Sequence, residues 1–212
     1  MKEYKLGELS SSFWKGLIFT IILAILGGSG MFMVAKHKQN TTYTAERSVV
    51  ISHRIDEEAL RRNSGQDPVV DSDLSMMPTY ADVVQDEQTA QAARKYLPKK
   101  LRKEYSANKI SQDVNANSHP QSLVFKIRVK TDKKKDSVAL VNATAKGLKK
   151  ELPSIQPGAG KVTLLATAHE DNVTSITSPN KKKYMLMGTA LGGLLGIVIS
   201  FVVVTWKKYI EK

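Results

Sequence analysis

The chain has 212 residues, a net charge of +12 and no cysteine. That length suits one ordinary domain plus membrane anchors, and without cysteine there can be no disulfide framework, thiolate metal site or cysteine nucleophile. Residues 36–183 carry 26 Lys and Arg against 17 Asp and Glu. A basic middle attracts phosphate- or carboxylate-rich partners, and apolar blocks at both ends favour anionic lipid or an acidic polymer over nucleic acid.

In chain order, residues 1–15 form a short tail containing Leu6, Leu9, Phe13 and Trp14. The uncharged stretch Gly16–Ala35 follows, bracketed by Lys15 and Lys36. At 1.5 Å per residue it is about 30 Å long, the thickness of a bilayer's hydrocarbon core, and Trp14 suits the headgroup layer. The rival reading is a signal peptide cleaved near Gly27, Gly28, Ser29 and Gly30. The apolar run through Ala35 and the acidic Glu3 and Glu8 argue against cleavage.

The soluble middle spans residues 36–168. Ser48–Ile55 has the β-branched content of a strand, preceded by extended Thr41–Thr44. Asn63–Asp73, with Gly65, Pro68 and several Asp, reads as a loop. Pro78 is then placed in a helix first turn, and a further helix covers Glu87–Tyr96. Pro98 ends it and opens a short basic helix to Tyr105. Ile110–Val114 is expected to pair with Leu123–Thr131 across a turn at 115–120. Phe125, Ile127 and Val129 alternate with Lys126, Arg128 and Lys130, a period of two that buries one face. Asp136–Leu152 reads as an amphipathic helix with Val138, Val141, Ala145, Leu148 and Leu152 on one side, stopped by Pro153. Val162–Ala168 is read as a final strand, and residues 169–184 as a tether to the membrane. Helices segregated over a small, largely antiparallel sheet give an α+β domain.

Met185–Thr205 is the second uncharged block, closed by Lys181–Lys183 and by Lys207 and Lys208, with Trp206 at its edge. A transmembrane helix is expected over 185–206, leaving 207–212 as a tail. Gly188, Gly192 and Gly196 recur every fourth residue on one helical face, the small-xxx-small pattern that admits a second helix from the same chain or another copy. Two spans put both termini on one side. Six tail charges (Lys2, Lys5, Lys15, Lys207, Lys208, Lys212) balance six near the loop ends (Lys36, Lys38, Arg47, Lys181–Lys183), so charge leaves the orientation open.

No enzyme signature is present, and no cofactor or metal is expected. His37, His53, His119 and His169 are scattered without metal-ligand spacing. Asp71 and Asp73 resemble the start of a calcium loop but lack its glycine and terminal Glu. The triplets beginning at Asn40, Asn142 and Asn172 match glycosylation acceptors. One basic concentration stands out: Arg94, Lys95, Lys99, Lys100, Arg102 and Lys103, with Lys109 nearby. It reads either as a solvated helix face or as a patch for anionic glycan, lipid phosphate or membrane surface. Tyr96 and Tyr105 are placed to stack on sugars or to pack.

The whole chain resembles the Wzz-type polysaccharide co-polymerases, and within them the short Gram-positive CpsC/CapA-like capsule and exopolysaccharide chain-length regulators. The resemblance rests on the tail with Leu6, Leu9, Phe13 and Trp14, on Tyr43-Thr44-Ala45 before the strand at Ser48, on Ala168 followed by Ser178-Pro179-Asn180-Lys181, and on the glycine-rich second span. It departs from the family in having a single proline, Pro179, before that span. The resemblance implies a multi-pass plasma-membrane protein with both termini cytoplasmic and the domain extracellular. It also implies a homo-oligomer that governs polysaccharide length without catalysis, alongside a polymerase and the growing polysaccharide. The expected partner is a separate cytoplasmic tyrosine autokinase, docking on Lys207, Lys208 and Tyr209. The alternative is a membrane-anchored sensor or binding module for anionic cell-envelope ligands.

Overall fold

The computed structural model describes residues 6–54 and 68–209, with side chains for 13–54 and 68–206. The chain forms two compact units, one of residues 41–176 and one of the two terminal segments, 1–40 and 177–212.

The terminal unit consists of α1 (Leu6–His37) and a C-terminal helix, Lys181–Tyr209. Both outlast the uncharged stretches that define them in sequence. Phe13–His37 and Lys181–Trp206 are long and apolar enough to cross a membrane.

The other unit is an α+β domain. Its central strand, β1 (Asn40–Ser52), is continuous where two extended pieces are expected. Between those pieces Arg47 puts a charge on the inward side among Ala45, Val49 and Ile51, all of them buried. Among the described residues, four helices precede the next strand: α2 (Pro68–Gln85), α3 (Glu87–Lys95), α4 (Lys99–Glu104) and α5 (Ala107–Asp113). Then come β2 (Val114–Ser118), β3 (Val124–Thr131), α6 (Lys134–Ile155), β4 (Lys161–Leu164), a single 3-10 turn at Glu170–Asn172 and β5 (Thr174–Ser178). The C-terminal helix is α7. The sheet runs β2-β3-β1-β4, with β5 also on β1, and β1–β3, β1–β4 and β2–β3 are antiparallel.

Several expectations are corrected. Residues 68–73 are helical rather than loop; the expected loop's residues 63–67 lie outside the described residues. Pro68, not Pro78, takes the first helical position, where a missing N–H costs nothing. Pro78 lies ten residues further on, inside α2. There it removes one i→i−4 bond, a cost of about 3 kcal/mol, offset by burial of Met77, Tyr80 and Val84. Pro153 likewise lies inside α6, which continues to Ile155.

Ile110 is helical: Ser106 caps α5 by accepting from the Lys109 N–H at 3.2 Å, and Ile110 is fully buried. The strand therefore starts at Val114 and occupies most of the expected turn, which shrinks to the residues around Gln121 (φ 59°). The last strand ends at Leu164 rather than Ala168. Within the expected tether, Thr174–Ser178 form β5 and join the sheet.

The core lies between one face of the sheet and the helices. Phe125, Ile127 and Val129 are fully buried, as their alternation requires, and meet Val141, Ala145, Leu148 and Leu152 of α6; Val138 is only partly buried. α3 reaches α6 closely because Gly147 faces it: a Cβ there would lie 2.7 Å from both the Ala93 nitrogen and the Thr89 carbonyl oxygen. Gly147→Val should therefore lower stability by about 2 kcal/mol through overpacking. The check is the chemical-denaturation midpoint of the detergent-solubilised chain, and an unchanged midpoint would contradict this packing.

Candidate functional site: a glycine-packed helix pair and basic surfaces

Within the terminal unit, α1 and α7 pack along a seam of small residues. A Cβ on Gly188 would strike the Gly27 carbonyl, and one on Gly192 the Leu23 carbonyl. On Gly196 it would lie 2.7 Å from the Thr20 Cα. Contacts move down α1 as they move up α7, so the helices are antiparallel. All three predicted packing glycines thus face a helix of the same chain. The partner face, missed in the sequence, includes Gly27 and Gly28, which there belong only to the rival signal-peptide reading. Gly28 faces Thr189, whose hydroxyl donates to the Met185 carbonyl at 2.9 Å. Such backbone approach is the means by which membrane helices gain van der Waals contact without a hydrophobic driving force.

Toward the end of the seam that carries the chain termini, one carbonyl serves both helices. The Thr20 hydroxyl donates to the Gly16 oxygen at 2.9 Å, and the Ser200 hydroxyl donates to the same oxygen at 3.1 Å. Beside them, Phe13, Leu17, Ile197, Phe201 and Val204 wall a cavity of about 510 Å³. Lys207, Lys208 and Tyr209, the predicted docking tail, are still helical in α7, but their side chains lie outside those described.

The basic helices are less free than their sequence suggests. Arg94 donates to the Arg102 carbonyl at 2.8 Å, and the Arg102 Nε donates to the Leu97 carbonyl at 2.8 Å, so both fasten the α3–α4 turn. Lys95, Lys99, Lys100 and Lys103 are exposed. Tyr105 is buried and cannot stack on a sugar, whereas Tyr96 is exposed, with the Lys146 ammonium 5.9 Å from its ring. The Tyr105 hydroxyl donates to Asp136 at 3.2 Å. Burial, then the Asp136 charge, pushes its pKa well above the usual phenol value. Above this contact Lys133 binds Glu104 at 2.7 Å; that hydrogen bond holds Glu104 below the usual carboxylate range and raises Lys133.

Two further arrangements were not visible in the sequence. Asp73, which resembles the start of a calcium loop, is a buried α2 residue clamped on the end of β1. One carboxylate oxygen accepts the His53 backbone N–H at 2.7 Å, and the other lies 2.8 Å from His53 Nδ1. Nearby Tyr80 is buried; burial and then Asp73 raise its pKa. Among the described residues no three His, Asp or Glu gather where they could hold a metal.

The second arrangement centres on buried Arg47. It donates to the Asn142 side-chain oxygen at 3.0 Å and the Leu165 carbonyl at 3.2 Å, and desolvation lowers its pKa. Asn142 in turn bonds both backbone groups of Ala168. Its amide is thus committed within the fold and is no glycosylation acceptor. Asn40 and Asn172 are exposed. An Arg in the inward register of a strand was the available signal.

No family model matches the chain, and no curated protein matches it.

Two tests follow. A Cβ on Gly193 would lie 3.8 Å from the Ala24 Cβ, the mean separation in disulfides, and the chain has no competing thiol. Oxidising the Ala24→Cys, Gly193→Cys double variant should link α1 to α7 within monomers, read as a gel-mobility shift, and adding Gly192→Leu should abolish the link. Links found only between chains would refute the seam. The second test concerns pH. Because the folded pKa of Tyr105 is raised, its stabilisation is complete below the unfolded value of 10.0 and is lost as pH climbs beyond it. Tyr105→Phe should cost about 1 kcal/mol near neutrality, and the deficit should shrink above pH 10 in denaturation series. A deficit constant with pH would disprove the assignment.

Proposed function

We propose that this chain is a non-enzymatic membrane scaffold whose two helices anchor the α+β domain to the plasma membrane. In this reading the domain is extracellular and both tails are cytoplasmic. The chain regulates the length and export of a capsular or exopolysaccharide, and it activates a separate cytoplasmic tyrosine autokinase. The observation that carries the proposal is the glycine seam, since two apolar helices from opposite ends of one chain meet as an antiparallel pair. That pairing brings the two tails to the same end of the helical unit. Oligomers of the chain would then hold several tails together and raise the effective concentration of kinase molecules for one another.

The absence of a phosphate-binding loop agrees with a kinase on a separate chain. A helical Lys207-Lys208-Tyr209 turn offers two cations and a phenol as the docking element. The sensor reading shares the anchors and the basic surface but not the link to polymer length.

Deleting residues 207–212 should abolish tyrosine phosphorylation of the kinase while membrane insertion persists. Removing the whole chain should shift the length distribution of the polymer on sizing gels. Unchanged phosphorylation would dispose of the docking role, and an unchanged length distribution would favour the sensor.

A further inference from the structure

We infer that the open face of the sheet, rather than the basic helices, is the surface that holds an anionic polysaccharide. The inference rests on the scaffold reading for the polymer's presence. The site itself is derived from strand geometry.

The helices pack against one face of the sheet, where Ala45, Val49, Phe125, Ile127 and Val129 point. The opposite face stays in contact with solvent. On β3 it presents Lys126, Arg128 and Lys130, with Lys126 44% and Arg128 31% exposed and Lys130 also exposed. Alternate residues of a strand lie about 6.7 Å apart. That is less than the roughly 8 Å screening length at physiological salt, so the positive fields of the row add, less the single charge of Glu46 that pairs with Arg128 and Lys126. Lys161, exposed at the start of β4, adds a fourth cation beyond β1.

The only carboxylate among these outward positions is Glu46, and it is taken: Arg128 binds it at 2.7 Å and Lys126 lies 3.7 Å away. Among the described residues Lys130 and Lys161 have no carboxylate within 4.0 Å.

The neighbours of this row are neutral hydrogen-bonding groups. The register sets Asn117 and Ser48 on either side of Lys126, and Asn115 beside Arg128. Cations interleaved with amides and hydroxyls match a polymer that carries carboxylates or phosphates among many hydroxyls. They match a bilayer surface poorly, because Val50 and Val124 are the only apolar side chains outward on β1 and β3, and both are half-buried.

The strand also fixes the geometry of the row. β3 is bonded on both edges, so its cations keep their spacing. In α3 and α4 the two arginines instead spend donors on the Leu97 and Arg102 carbonyls.

The test uses the full chain in detergent micelles and a fluorescent polygalacturonate as the probe, with neutral dextran as control. Replacing Lys126, Lys130 and Lys161 together by Gln should weaken binding about tenfold, the sum expected from three exposed charges. Replacing Lys95, Lys99, Lys100 and Lys103 by Gln should change it less than about twofold. The single reversal Lys130→Glu should weaken binding on its own, which keeps the test decisive should the triple variant fail to fold. Equal losses in the two multiple variants, equal binding of dextran, or no binding at all would overturn the assignment. So would preferential capture by phosphatidylglycerol vesicles that polygalacturonate cannot displace. A chain that binds the polymer in this way yet leaves cellular polymer length unaltered would keep the surface and discard the scaffold reading.

Discussion

Where Gly27 meets Gly188 and Leu23 meets Gly192, two helical backbones approach with no side chain between them, and the terminal unit depends on that approach. In hydrocarbon, apolar side chains gain little by leaving lipid for a neighbouring helix, so association must come from close packing and a few hydrogen bonds. The glycines allow the first. The Gly16 carbonyl, shared by the Thr20 and Ser200 hydroxyls, provides the second. Any β-carbon at the closest steps would separate the helices and lose both together.

The α+β domain uses the same device in water. Gly147 lets α6 touch the backbone of α3, with Ala90, Ala93 and Ala143 filling the remaining space. Its polar interior follows a different rule, since a buried donor is tolerable only if bonded. Arg47 meets that requirement at its two terminal nitrogens, with an amide and a carbonyl in place of an acid, while its buried Nε has no partner; the two bonds tie β1, α6 and the segment after β4 into one network. Asp73 does similar work at the end of β1, joining it to α2 through two separate contacts with His53. Both networks link positions far apart in sequence, and each polar group is placed by the fold it helps to close.

Much of this architecture was legible in the residues. The alternation of Phe125, Ile127 and Val129 identified β3 because a period of two has no other economical explanation, and Val141, Ala145, Leu148 and Leu152 did the same for α6. The long uncharged stretches marked both terminal helices. Legibility failed where a local signal competed with tertiary contacts. Two prolines were read as helix boundaries although burial on the neighbouring turns overrides their cost. β2 was hidden by its asparagines, which are ordinary turn residues until an adjacent strand occupies their backbone groups. The partner face of the α7 glycines could not be deduced from α7 alone, since small residues are compatible with many neighbours. His53 and Asp73 are twenty positions apart, and no spacing rule joins them. The open sheet face was written in the same alternation that revealed β3, but its meaning required knowing which side the helices leave bare.

β5 differs from the other strands in one respect: all five of its residues are exposed. It is attached to β1 and contributes no buried side chain to the core. Little apolar contact opposes its detachment, so its opening free energy lies at the low end of the range a folded domain spans. Its amide protons will exchange with solvent long before those of β3, and a protease that cuts accessible chain will reach this stretch before β3. The sheet therefore carries, immediately before α7, a segment that can peel away while the rest of the domain stays folded.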